Sequence, residues 1–190
     1  LQAWRQKNEA AQRDSVVNYA FHFGAAKDNF EEALKIPGIR SVKMYMGSST
    51  GNLLVDSTQL WEKWFELCQR KNMVLVVHAE YEPLIQEHAK TFTENHARVH
   101  SRIRDAEVET TALEKALELQ ERIGTKLHVA HLSSKAGLEL VREAKSNGQN
   151  VSCEVTPHHL FLTEKDTERL GNLGKMNPSL KSREDVNALW

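Results

Sequence analysis

Five short apolar runs, Val16 to Phe23, Ile39 to Met46, Met73 to Ala79, Lys126 to Leu132 and Val151 to Val155, are each separated from the next by a stretch of helical character. That alternation constrains the fold more than any other feature of the chain. Strands joined through helices lie parallel and connect by right-handed crossovers, so the runs imply one parallel α/β sheet, either open and doubly wound or part of a barrel. Local signals delimit the helices. Leu1 to Arg13 reads as a helix, and Asp28 to Lys35 as a short one entered by Asp28 or Asn29 and ended by the turn Ile36-Pro37-Gly38. Ser57 is placed to cap a helix running through Arg70, in which Leu60, Trp61, Trp64, Phe65 and Leu67 recur at helical spacing. Tyr81 to Gly124 reads as two helical pieces with the His- and Arg-rich segment His96 to Arg104 between them. Lys135 to Ser146 is a helix stopped at Asn147-Gly148. Pro157 bars the fifth run from continuing as a central strand, Thr163 caps a short charged helix, Gly171 to Lys181 is a loop, and a last helix begins near Ser182.

No glycine-rich phosphate fingerprint follows any run, which weighs against the nucleotide-binding open sheet. What remains is polar chemistry where strands run out into loops. Lys43 lies in Ser41 to Gly47, His78 in Val74 to Glu80, and His131 in Leu127 to Ser134. A lysine in an apolar strand is costly to bury, and a histidine at the exit of two successive strands suits a metal better than a core. In a parallel barrel these exits share the face that carries the active site.

Taken singly, each residue has a plainer reading. Lys43 also fits a lysine that snorkels to solvent, and His78 a satisfied core histidine with Glu80 as carboxylate partner. His128 competes with His131. Three apart in a strand, the two face opposite sides, and His131 alone stands at the exit before Ser133 and Ser134. The adjacent His158 and His159 cannot easily place both rings on one metal and read as structural or loop-anchoring. His88, His96 and His100 lie among charges and read as solvated, and Glu62-Lys63 and Glu114-Lys115 as exposed helix faces.

The 190 residues suffice for one domain with a sizeable core. A complete eight-fold barrel takes about 250 residues. A net charge of -1 gives no reason to expect nucleic acid or an anionic membrane as partner. Cys68 and Cys153 have neither metal-ligand spacing nor a disulfide framework, the pattern of reduced thiols in a cytoplasmic protein. No apolar run approaches the roughly 18 residues of a membrane span, and Leu1 to Asp14 lacks a signal-peptide core.

Ser41 to Asp56, Val77-His78-Ala79-Glu80, His128 to Ser134, Glu154 to Leu160 and Lys175 to Leu180, in this order over nearly the whole chain, closely resemble dihydroorotase, within the cyclic amidohydrolases. Hydantoinases and allantoinases share much of the pattern. The resemblance implies a partial TIM-type (β/α)8 barrel of the metal-dependent hydrolase type. Residues 1-190 would form the central portion of one barrel domain, about strands three to seven, with a binuclear zinc centre at the C-terminal face. It further implies that Lys43 is carboxylated and bridges the metals, that His78 and His131 are metal ligands, and that Asn177 contacts a pyrimidine ring. Converting a neutral amine into a metal-bound anion would also leave no unpaired ammonium in the core. Cobalt or manganese would suit the same donors.

The implied reaction is the reversible ring closure of N-carbamoyl-L-aspartate to dihydroorotate in pyrimidine biosynthesis, through a metal-activated hydroxide. The family's first-strand His-X-His pair, the Arg after it and the last-strand Asp that shuttles the proton do not occur in these residues. The chain, which has no initiator Met, is therefore expected to be a fragment lacking the first two and last strands, with exposed sheet edges, weak zinc binding, no shuttle residue and little activity alone. The expected partners are a small-molecule substrate and a second copy of the chain or aspartate transcarbamoylase. Two other readings stand beside this one: a non-catalytic dihydroorotase-like partner of aspartate transcarbamoylase, and a hydantoinase or allantoinase, which the first-strand Arg would distinguish because a carboxylate-bearing ring needs a cation.

Overall fold

A computed structural model of the chain describes residues 1–49, 51–94 and 96–190. Thr50, in the loop after the second apolar run, and Asn95, beside the His-rich segment, lie outside the described residues. The elements are α1 (Gln2–Asp14), β1 (Phe23–Gly24), α2 (Phe30–Lys35), β2 (Ser41–Tyr45), α3 (Thr58–Arg70), β3 (Val74–His78), α4 (Glu82–Thr91), α5 (Val99–Ile103), α6 (Ala106–Ile123), β4 (Lys126–Val129), α7 (Lys135–Ser146), β5 (Val151–Cys153), α8 (Pro157–Phe161), α9 (Asp166–Leu170), a 3-10 turn at Gly171–Gly174, and α10 (Arg183–Leu189). The five strands form one sheet in the order β1-β2-β3-β4-β5, every neighbouring pair parallel. This is the arrangement that the alternation of apolar runs and helices predicts.

The two faces of the sheet differ in chemistry because side chains alternate along each strand. Val42, Met44, Leu75, Val77, Leu127 and Val129 point to one face and are buried against Trp61, Trp64 and Phe65 of α3 and Leu113 of α6. Each such aliphatic side chain contributes about 1.5–3 kcal/mol by leaving water, so this layer holds the helices on the sheet. The register pairs Lys43 with Val76 and Val76 with His128, and Tyr45 with His78, which places Lys43, Tyr45, His78 and His128 together on the opposite, more polar face.

Local signals set the helix ends. Ser57 caps α3 by accepting from the Leu60 amide at 3.3 Å, and Trp61 Nε1 donates to the Val55 carbonyl at 2.5 Å. Gly124, at φ 79°, stops α6 in a left-handed turn whose N–H bonds the Gln120 carbonyl at 2.7 Å. Ser182 and Asp185 form a reciprocal capping box on α10.

Several expectations need correction. The strand expected over Val16 to Phe23 shrinks to Phe23–Gly24, because Ser15 folds back on Val17 and the intervening residues have no ladder partner. Val16 and Val17 are 98% and 71% exposed. The segment His96 to Arg104, read as a break between two helices, contains α5. Pro157 does more than end the fifth run: with Thr156 before it, it starts α8, where its missing N–H costs nothing. Thr163 lies one turn ahead of α9 rather than at its cap, and bonds Asp166 Oδ2 through its N–H and hydroxyl.

Candidate metal centre

Strand β3 ends at His78, and its ring is set from both sides. Nε2 lies 2.7 Å from Glu80 Oε2, and Nδ1 lies 3.2 Å from His131 Nε2. Burial would raise the Glu80 carboxyl, but the hydrogen bond from His78 and the charges of His78, Arg104 and Lys181 hold it below its ordinary value. A carboxylate only accepts, so His78 Nε2 carries the hydrogen and Nδ1 presents its lone pair. A carboxylate behind an imidazole is the arrangement that orients histidines on metals.

His131 reaches this point by leaving the strand pattern. Alternation places His128, not His131, on the face of Lys43, but β4 ends at Val129 and His131 adopts φ 42°. That left-handed conformation turns its ring edge-on to His78, with centroids 4.9 Å apart. The loop beyond is pinned from beneath. The buried Glu109 of α6 accepts from the Ser133 amide and hydroxyl and the Ser134 amide, each at 2.8 Å, and from the Ser134 hydroxyl. The carboxylate thus fills the N-terminus of α7, where amide donors are otherwise unmet. Gly137 makes room for it, since a Cβ there would lie 2.8 Å from Glu109 Oε2.

Lys43 projects from β2 on the same face, its Nζ 5.1 Å from the centre of the Tyr45 ring, and that ring lies 5.4 Å from His78's. The buried Nζ has no hydrogen-bond partner among the described residues. Burial lowers its pKa from 10.5 to about 8. Burial, then the charges of His78 and Lys43, push His131 to about 2, so its ring is neutral at physiological pH.

The structure therefore brings His78 and His131 into contact, with Lys43 beside them. Asn177 stands apart from these contacts, with its Oδ1 buried and without a hydrogen-bond partner among the described residues. Its loop is held through its neighbour: His159 Nε2 donates to the Pro178 carbonyl at 3.1 Å, while Nδ1 accepts from the Thr156 hydroxyl at 2.8 Å. Both nitrogens are engaged, so His159 is a loop anchor, as its sequence position suggests. His100 is not solvated: it is half-buried with Nε2 2.8 Å from the Met176 carbonyl. Neither is His88, half-buried with Nδ1 3.2 Å from the Ile103 carbonyl.

Sequence reasoning missed Arg104, Glu109 and Lys181, all buried. Their only sequence signal is a charge within a helix or beside a run whose neighbours are apolar. His88 also clusters with Asp105 and Glu107 closely enough for a cation. Asp105 is, however, the N-cap of α6, accepting from Val108.

The spacing of the donor atoms suits a metal. Two imidazole nitrogens bound to one tetrahedral zinc lie about 3.3 Å apart, and His78 Nδ1 and His131 Nε2 lie 3.2 Å apart. The unpartnered Lys43 Nζ beside them is the kind of buried polar atom that a carbamate on a metal would satisfy. The residues present fit a divalent metal.

No protein-family model matches the sequence. The dihydroorotase of Methanosarcina mazei is 32% identical over 196 residues, which cover 98% of this chain and 43% of that protein. By sequence and fold, the chain belongs with the dihydroorotase-like cyclic amidohydrolases. The multifunctional protein CAD of Squalus acanthias is 31% identical over 175 residues, covering 91% of this chain and 6% of its own length. Among solved structures, the L-hydantoinase (dihydropyrimidinase) of Arthrobacter aurescens superposes with a TM-score of 0.93 at 30% identity, over 100% of this chain and 43% of that one. The dihydroorotase-like chain thus spans less than half the length of these relatives, and its parallel sheet with helices is part of a TIM-type barrel.

Proposed function

We propose that the protein carrying this chain is a metal-dependent dihydroorotase, interconverting N-carbamoyl-L-aspartate and dihydroorotate. The reading is carried by one observation: two imidazole nitrogens facing each other at 3.2 Å beside a buried, unpartnered lysine amine. Residues 1-190 would form the central part of one barrel domain. Lys43, as its carbamate, His78 and His131 would hold a divalent metal, zinc by preference. A metal held there supplies Lewis acidity, which polarises an amide carbonyl and acidifies water.

The chain's own residues prepare that site. A Lys43 pKa near 8 leaves part of the amine neutral at pH 7, and only the neutral amine can add to carbon dioxide, releasing a proton as the carbamate forms. Glu80 holds the His78 hydrogen on Nε2. His131 Nδ1, buried and without a partner among the described residues, can carry that ring's hydrogen, which leaves the Nε2 lone pair free for a metal. Asn177 Oδ1 offers an acceptor to a ring N–H of a cyclic substrate.

The close superposition on an L-hydantoinase favours a second reading, hydrolysis of five- or six-membered cyclic ureides without a carboxylate. The deciding experiment measures turnover of dihydroorotate and of a substituted hydantoin by the intact, zinc-loaded protein. Preference for dihydroorotate supports the proposal, preference for hydantoin supports the second reading, and turnover of neither refutes both. Association with aspartate transcarbamoylase and a cytoplasmic location belong to the same proposal; the similarity to a multifunctional protein supports a partner enzyme. Among the described residues no helix is long and apolar enough to cross a membrane.

A further inference from the structure

Arg104, the residue between α5 and the Asp105 cap of α6, is 8% exposed. Its Nη1 pairs with Glu80 Oε2, the oxygen that also receives His78 Nε2. Its Nη2 donates to the Ser48 carbonyl at 2.6 Å and lies 3.2 Å from the Ser48 hydroxyl. Its own carbonyl accepts from the Ser179 hydroxyl at 2.6 Å and from Lys181 Nζ at 2.7 Å. Ser48 is fixed further, its amide donating to Glu82 Oε2 at 2.6 Å. One residue therefore ties together the loop after β2, the exit of β3 and the segment that follows Asn177.

We propose that Arg104 is a positioning residue that couples two parts of the site, holding His78 in its Nε2–H form through Glu80 and holding the Asn177 loop through its backbone carbonyl. The guanidinium suits this because its planar fork meets Glu80 and Ser48 at once, which a single ammonium cannot do. The carbonyl suits it because two buried donors converge there, so a shift of the Arg104 backbone moves Ser179 and Lys181 with it. The side-chain arm acts on the metal side of the site and the main-chain arm on the substrate side. The inference rests on the proposed function for what the two sides bind. Its tautomer component does not.

The test uses the intact protein, with Arg104→Lys, Glu80→Gln and Ser179→Ala made separately. Three quantities are read: the His78 tautomer in metal-free protein from imidazole nitrogen shifts, zinc affinity by chelator competition, and KM against kcat. Wild-type His78 should show a single Nε2–H form. Arg104→Lys should populate the other tautomer, weaken zinc about tenfold to a hundredfold and raise KM. Glu80→Gln should change tautomer and zinc affinity, and Ser179→Ala should raise KM alone. A purely structural role would lower stability without this split. A folded Arg104→Lys or Glu80→Gln variant with wild-type tautomer and zinc affinity overturns the proposal, as does a Ser179→Ala variant with unchanged KM. If Arg104→Lys does not fold, the other two decide. Wild-type protein that binds no zinc refutes the proposed function, while the tautomer measurement still decides the role of Arg104.

Discussion

Replacing Lys43 by Met should stabilise the metal-free protein while removing its capacity to bind metal. The Lys43 pKa falls from 10.5 to about 8 on folding because burial disfavours the ammonium. At 1.36 kcal/mol per pKa unit, the charged lysine costs the folded state about 3 kcal/mol. The sign follows from linkage. Above pH 10.5 the amine is neutral in both states and costs nothing. As pH falls toward 8 the unfolded chain takes up a proton that the folded chain refuses, so stability drops, and below pH 8 the full penalty is present. Methionine keeps the length without the charge. Its loss of the contact with the Tyr45 ring returns about 0.5–1 kcal/mol, leaving a net gain of about 2–3 kcal/mol at pH 7. Urea unfolding of the intact, metal-free protein in carbon-dioxide-free buffer at pH 7 and pH 10.5 measures this. The variant should lead at pH 7, and the gap should close at the higher pH. Equal stability at pH 7, or a gap independent of pH, would refute the reasoning that Lys43 is a strained, buried amine.

Other perturbations probe the supports of the site. Glu109→Ala leaves two amides and two hydroxyls of Ser133 and Ser134 without their acceptor. It should cost about 3–5 kcal/mol in urea unfolding, and a loss under 1 kcal/mol would show that the loop does not depend on that carboxylate. Gly137→Ala forces a Cβ to 2.8 Å from Glu109 Oε2 and 3.0 Å from Leu113 and Leu132. A destabilisation of about 1–3 kcal/mol is expected, and a stabilised variant would contradict the packing described. Trp61→Phe removes the bond to the Val55 carbonyl and should lower stability by about 1–2 kcal/mol, detectable as a shifted urea midpoint, with an unshifted midpoint arguing that the bond contributes nothing.

Much of this architecture is legible in the sequence, for identifiable reasons. Helices with a side-chain cap at the N-terminus, such as α3 behind Ser57 and α7 behind Ser134, have the limits that the residues predict, because such signals are local. Lys43 and His78 are legible as one face because strand alternation relates them to their register partners. His131 is legible only as a strand exit. Its contact with His78 depends on a left-handed backbone angle that no period-2 pattern encodes. The strand expected at Val16 fails because an apolar run becomes a strand only when a neighbour completes its ladder. Arg104, Glu109 and Lys181 are hard to read for the opposite reason: Glu80 for Arg104, Ser133 and Ser134 for Glu109, and the Arg104 carbonyl for Lys181 lie 24 to 77 residues away in sequence, so the residues around them carry only the weak signal of a charge beside apolar neighbours.

The most direct test of the central claim is metal analysis of the intact protein after zinc loading and removal of excess, with the double variant His78→Ala/His131→Ala treated identically. The account predicts stoichiometric zinc in the wild-type protein and a clear loss in a folded double variant. Wild-type protein without metal, or a folded double variant that retains the full complement, would contradict the assignment of His78 and His131 to a metal centre.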